Sequence, residues 1–208
     1  QKYPVNRIIV MNTEEKFWKK TWEEKYPLVE VHHLTKEEFD HGATRRRGAE
    51  LSDAEILVFM TQDALPADRK LIGSLVTAIQ ENEKVGAAYA RQLPKSDCGF
   101  LEKYTRSFNY PSESCLKTEK DLATRGIKTY FCSNVCAAYD HKIYNEIGGF
   151  PEHAIFNEDM IYAGWMVKKG YGVAYVAEAR VYHSHNYSCA QQFHRNFDLG
   201  VSQAEHPE

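Results

Sequence analysis

The chain has 208 residues, 43% of them hydrophobic, enough to bury one sizeable core and to read as a single domain over residues 1–208. With 26 Lys+Arg against 29 Asp+Glu, the formal net charge of −3 gives no general attraction for nucleic acid, so any bound anion must be held locally. Apolar runs are short, as at 56–60 and 135–139, where a membrane span needs about 20 residues, and Gln1-Lys2-Tyr3-Pro4-Val5 lacks a signal-peptide pattern; the expected location is cytoplasmic.

Taken in chain order, residues 7–11 form a β-branched run ending in Asn12-Thr13, which predicts a buried strand. A helix is expected over 14–26, stopped by Pro27, then a strand over 28–32. Thr35-Lys36-Glu37-Glu38 has the spacing of a capping box. A helix follows from about 41 to 51, and 55–60 is the most apolar strand, expected to be covered on both faces. Apolar spacing predicts a helix over 67–83, with Leu71, Leu75 and Ile79 on one stripe, and a strand over 85–90. This alternation implies a mainly parallel, Rossmann-like α/β sheet flanked by helices in three α/β/α layers, with ligands at the carboxyl ends of its strands.

The second half predicts an aromatic helix over 100–110, a polar loop over 111–120, and strands over 128–131 and 135–139. A short helix over 140–147 closes on Gly148-Gly149, and another over 158–169 closes on Gly170. A long strand, 172–183, and a helix, 190–203, complete the chain. Five cysteines, Cys98, Cys115, Cys132, Cys136 and Cys189, lack the CxxC spacing of a zinc site and read as unpaired thiols.

Four groups of residues carry chemistry. Asp63 follows an apolar strand in Thr61-Gln62-Asp63, where a carboxylate suits a divalent cation or, alternatively, a turn. Arg45, Arg46 and Arg47 sit between Gly42 and Gly48, placed either to fork onto phosphate oxygens or to form a solvated helix face. Asn157-Glu158-Asp159 opens a helix, where acids are favoured by the macrodipole and where one could serve as a general base. His183 and His185 lie two apart at a strand end, suited to a metal shell or to hydrogen bonding there.

Together these features resemble glycosyltransferase family 2 enzymes of the GT-A fold, in particular bacterial rhamnosyltransferase-like members, along nearly the whole chain. Gly42-Ala43-Thr44-Arg45-Arg46 is similar to the family's Gly-x-x-Arg-Asn, which implies a donor-diphosphate role for Arg45, with Arg46 in place of Asn. Thr61-Gln62-Asp63 occupies the position of Asp-x-Asp, keeping only the metal-facing acid. Gly148-Gly149-Phe150 followed by Glu158-Asp159 is the most specific likeness and implies that Asp159 is the catalytic base, with Glu158 its partner. Ser133 and Asn134 are expected near the sugars, and His183 or His185 beside the metal or diphosphate. Gln191-Gln192-Phe193-His194-Arg195 remotely resembles a Gln-x-x-Arg-Trp box.

The resemblance also implies a strand-helix unit of about 25 to 35 residues before the first strand seen here, and an acid contacting the base where Asn12 stands. The expected donor-binding set is Asn12, Gly42, Arg45, Arg46, Gln62, Asp63, Ser133 and Asn134, in a nucleotide-sugar-binding half over 1–95; residues 96–208 form the acceptor-binding, catalytic half. The implied reaction is inverting transfer from a dTDP- or UDP-sugar to a saccharide or lipid-linked hydroxyl in bacterial polysaccharide synthesis. It would use Mg²⁺ or Mn²⁺ and no nucleic acid, with peripheral association at the inner membrane face. A non-catalytic sugar- or nucleotide-binding module is the alternative, and a nucleotidyltransferase, which would show a Gly-rich phosphate loop, is a third reading.

Overall fold

A computed structural model describes residues 1–154 and 156–206. β1 (Ile8–Thr13) and β2 (Val29–Leu34) pair in parallel as a two-stranded sheet, with Ile8 opposite Val29. The larger sheet contains β3 (Ile56–Met60), β4 (Leu65–Pro66), β5 (Val85–Leu93), β6 (Cys115–Lys117), β7 (Cys136–Asp140) and β8 (Gly172–Tyr182). Their order is β3-β7-β5-β8-β4, with β6 also paired to β8.

This sheet is mixed, which corrects the expected mainly parallel arrangement. β5 and β8 are parallel, whereas β7 is antiparallel to both β3 and β5, and β4 and β6 are antiparallel to β8. β7 starts at the end of the sheet where β3 finishes, marked by the Thr61 N–H bond to the Val135 carbonyl, and runs back between β3 and β5. The reversal brings Ser133 and Asn134, which precede β7, to the end where Asp63 and Gln92 lie.

The sheet is covered on both faces. Leu71, Leu75 and Ile79 of α3 (Leu71–Gln80) pack on Ala88, Ala90 and Val176. On the other face, α6 (His141–Ile147) and α7 (Glu158–Lys168) enclose Tyr139, Tyr144, Phe150 and Tyr162 over Ala87 and Tyr89. The Phe150 ring meets Phe59, Tyr139 and Tyr162 edge-on with centroids 5.1, 5.3 and 5.4 Å away, geometry that suits the aromatic quadrupole. Three α/β/α layers result, and strands from both halves of the chain interleave in one sheet.

Local differences have physical causes. β3 is an edge strand with β7 as its one partner, so Val58 and Met60 stay exposed and the expectation of two covered faces does not hold. The segment expected as a helix over 14–26 is broken into a short 3-10 turn and α1 (Thr21–Lys25), following Glu14 at φ 66°. Thr35 and Glu38 make both reciprocal capping-box bonds without an ensuing helix; α2 (His41–Glu50) is capped instead by Asp40, which accepts from Ala43 N–H at 2.8 Å. Residues 128–130 lie in a 3-10 turn that ends before Phe131, not in a strand, and the expected 111–120 loop contains β6. The remaining helices are α4 (Phe100–Asn109), α5 (Leu122–Arg125) and α8 (Cys189–Glu205). The five cysteines are free.

Candidate active site

Two polar clusters meet at one end of the large sheet. The first is built on the start of α7. Asn157 takes a left-handed backbone, φ 65°, to turn the chain into that helix, a conformation Asn tolerates better than most residues. Glu158 and Asp159 then point inward rather than to solvent. Asn134, only 2% exposed, grips both: its backbone N–H donates to Asp159 Oδ2 at 2.8 Å and its side-chain Nδ2 donates to Glu158 Oε1 at 2.9 Å. The Tyr139 hydroxyl fixes the amide by donating to Asn134 Oδ1 at 2.8 Å.

Burial, followed by the negative charge of Glu158, pushes the Asp159 carboxyl up to about 7, against the opposing pull of the Asn134 N–H and Arg45. A carboxyl there exchanges its proton near neutral pH, as a general base must. Asn157 Nδ2 is buried beside these acids with no hydrogen-bond partner among the described residues, leaving a donor for a ligand oxygen.

The second cluster joins the end of β3 to the end of β8. Asp63 Oδ2 lies 3.3 Å from both His183 Nε2 and His185 Nε2, and the two imidazole nitrogens are 3.1 Å apart. Burial lowers His183 to about 4 and also lowers His185, so both rings are neutral and offer lone pairs near neutral pH. Burial opposes ionisation of Asp63, yet His183 and the other polar neighbours outweigh it and hold the carboxyl below its ordinary value. One carboxylate and two neutral imidazoles, whose ligand atoms lie within 4.8 Å of one another, fit a divalent cation.

Several expected donor residues have other neighbours. Arg45 reaches Glu158 Oε1 at 3.1 Å and the His41 carbonyl at 3.1 Å, bridging α2 and α7. Arg46 donates to the Phe150 carbonyl at 3.2 Å and supports the Gly148-Gly149-Phe150 turn. Gly42 allows a close approach, but to protein: a Cβ there would sit 2.1 Å from the Pro151 carbonyl oxygen. Gln62 is exposed on the turn before Asp63. Ser133 is buried and accepts from Gln92 at 2.9 Å. Asn12 is bonded within the β1–β2 region, to the Glu14 carbonyl at 3.1 Å and His33 Nδ1 at 3.0 Å. Arg195 packs over Phe156 and Tyr187, with 5.1 and 5.7 Å to the ring centroids.

Sequence reading missed Gln92, Arg106 and Glu102, which join the clusters. Gln92 bonds both Ser133 and His183, while Glu102 holds Arg106 at 2.7 Å and accepts from the His185 backbone N–H at 3.3 Å. A signal was available at Gln92: an amide near the end of a strand whose first six residues are apolar and buried. A cavity of about 990 Å³ lies elsewhere, between the N-terminal segment, α3 and β8, lined by Tyr3, Gly73, Thr77, Leu116 and Tyr175 and by none of these acids or histidines.

The three-layer α/β/α fold is that of solved glycosyltransferases of the GT-A type. Solved structures share it: a mannosyltransferase from Pyrobaculum calidifontis in complex with GDP-Man and Mn²⁺ (TM-score 0.60, 17% identity, 90% of this chain and 47% of that one) and GalNAc-T7 with UDP, GalNAc and Mn²⁺ (0.63, 12%, 86% and 37%). The chain belongs to glycosyl transferase family 2, whose description matches residues 1–148. It is 40% identical to the O-antigen chain rhamnosyltransferase RfbN of Salmonella typhimurium over 99% of this chain and 65% of that protein. It is 41% identical to the O-antigen chain rhamnosyltransferase WbaN of Salmonella anatum over 84% and 55%. The chain thus spans less than two thirds of the length of either relative.

Proposed function

We propose that this chain carries the catalytic core of an inverting glycosyltransferase of bacterial polysaccharide synthesis. It moves a sugar, with rhamnose the first candidate, from a dTDP- or UDP-sugar to a hydroxyl of a saccharide or lipid-linked acceptor. The observation that carries this reading is Asp159: a half-buried carboxyl, held by Asn134 and raised to about 7, in the Glu-Asp pair that follows Gly148-Gly149-Phe150. Its Oδ atoms take the acceptor hydroxyl proton as that oxygen attacks the anomeric carbon from the face opposite the diphosphate, while the Asn134 and Met160 backbone N–H groups keep the carboxyl oriented and Arg45 pairs with Glu158 beside it.

Residues 1–95 supply the donor side and residues 96–208 the acceptor and the base. Asp63, His183 and His185 hold the cation, which when bound neutralises charge on the leaving diphosphate. A set with two imidazoles favours Mn²⁺ over the oxygen-preferring Mg²⁺. Both similar solved structures were determined with Mn²⁺, which supports this reading.

The chain works at the cytoplasmic face of the membrane; no helix among the described residues is long and apolar enough to cross one. Support comes from α4, whose polarity is reversed. Glu102 and Arg106 face the protein, while Phe100 (86% exposed), Leu101, Tyr104 and Phe108 share the outer face. Its exposed charge is Lys103, and Lys128 lies over Phe108 at 5.0 Å, so the surface is apolar and cationic, which suits anionic phospholipid. Co-flotation with phosphatidylglycerol vesicles, lost in F100S/Y104S/F108S, is expected; self-association through α4 without flotation would contradict it.

A donor screen of the protein, read by nucleoside diphosphate release with an acceptor saccharide and Mn²⁺, tests the main reading. Acceptor-dependent release with dTDP- or UDP-sugars is the expected result. Metal-independent saccharide binding with no release from any donor would replace it with a binding module.

A further inference from the structure

We infer that Gln92 is a positioning residue that locks His183 in the Nδ1–H tautomer, so that its Nε2 lone pair faces Asp63 and His185. The inference rests on the reading of that trio as a cation site only for its consequence, not for the tautomer itself.

Gln92 is 2% exposed, so each of its amide groups needs a protein partner. Shape does not separate the amide oxygen from its nitrogen, but the partners do. Arg106 Nη1 bonds the Gln92 oxygen side, and a guanidinium has donors alone, so the atom facing it is Oε1. The same Oε1 lies 2.9 Å from His183 Nδ1, which must therefore carry the proton. On the opposite side, the two Nε2 hydrogens have acceptors in the Tyr110 hydroxyl at 2.6 Å and Ser133 Oγ at 2.9 Å. Every hydrogen-bonding position of the amide is then used, and a flip would set its NH₂ against the guanidinium.

With Nδ1 protonated, the Nε2 of neutral His183 is bare. It lies 3.3 Å from Asp63 Oδ2 and 3.1 Å from His185 Nε2. Two lone pairs facing each other at this range repel, so the His185 N–H occupies the gap when no cation does, and a cation replaces it. Arg106 is itself held by Glu102 at 2.7 Å, so the inner face of α4 sets the orientation of the lock. Outer partners of this kind commonly change metal affinity by about 10–100-fold.

Long-range ¹H–¹⁵N spectra of the metal-free protein at pH 8, where imidazole is neutral, read the tautomer directly. His183 is expected with a protonated Nδ1 and a bare Nε2. In Gln92→Leu the Nε2–H form becomes populated, and Mn²⁺ affinity measured by calorimetry with UDP present falls about 10–100-fold. Gln92→Glu keeps the acceptor, the tautomer and an affinity within a few-fold of the parent. A bare Nδ1 in the unmutated protein overturns the inference whether or not any variant folds, as does an unchanged tautomer in Gln92→Leu. An Nδ1–H His183 in a protein that binds no Mn²⁺ would uphold the lock and refute the cation reading.

Discussion

The Asn134 backbone N–H donates to Asp159 at 2.8 Å, a bond that no substitution at residue 134 other than proline removes, while the Asn134 side chain holds Glu158 separately. The two acids are thus held by different atoms of one residue. Asn134→Ala is expected to fold with Asp159 in place but with Glu158 and Tyr139 each short of a partner. The loss should be about 1–3 kcal/mol in urea or thermal unfolding, with at least a tenfold fall in kcat. Unchanged stability would show that the side-chain clamp carries no weight.

The raised Asp159 carboxyl fixes the direction of the pH response. A base must be unprotonated, so kcat/KM should rise with pH and level off above about 7, falling about tenfold per unit on the acid side. Stability runs the other way. Below about 4 both folded and unfolded chains hold this proton; between there and 7 the unfolded chain releases a proton that the folded chain keeps, and stability declines. Asp159→Asn should therefore melt higher than its parent at pH 8, with the gap closing towards pH 4, as scanning calorimetry can measure.

Removal of divalent ions by EDTA should abolish turnover, and Mn²⁺ should restore it more fully than Mg²⁺. Asp63→Ala and His183→Ala should each weaken Mn²⁺-dependent binding of UDP or dTDP by at least tenfold in calorimetry, while leaving the fold intact by circular dichroism. Equal nucleotide affinity with and without Mn²⁺ would count against the trio as a cation site.

At Gly42, two effects oppose each other. Alanine favours a helix over glycine by about 1 kcal/mol, but its Cβ would meet the Pro151 carbonyl oxygen at 2.1 Å. Backbone on both sides leaves little room to adjust, so the clash should win and Gly42→Ala should cost about 1–3 kcal/mol in thermal unfolding. A stabilised variant would mean that the 150–154 turn is free to move.

Much of the candidate site was legible in the sequence. The helix-opening acids, the lone carboxylate after β3 and the paired histidines at the end of β8 are local patterns, and the folded chain keeps each where its element ends. What periodicity does not encode is strand direction, so β7 could be recognised as a strand but not as the one that runs back through the sheet. Nor does it encode long-range polar pairing. Arg45 reads as a free phosphate ligand until Glu158 appears beside it, and Gln92 becomes notable only when Arg106, from a helix whose apolar side faces out, arrives at its amide. The amphipathic period of α4 is plain, but which side is buried depends on what the sheet end requires, and there it requires charge.

The most direct test of Asp159 as the base is a single-turnover transfer assay on Asp159→Asn, with donor binding measured in parallel. The account predicts donor affinity within a few-fold of the parent and transfer slowed by about 10²–10⁴-fold, the usual contribution of a general base. Normal transfer by a variant that binds donor normally would contradict it.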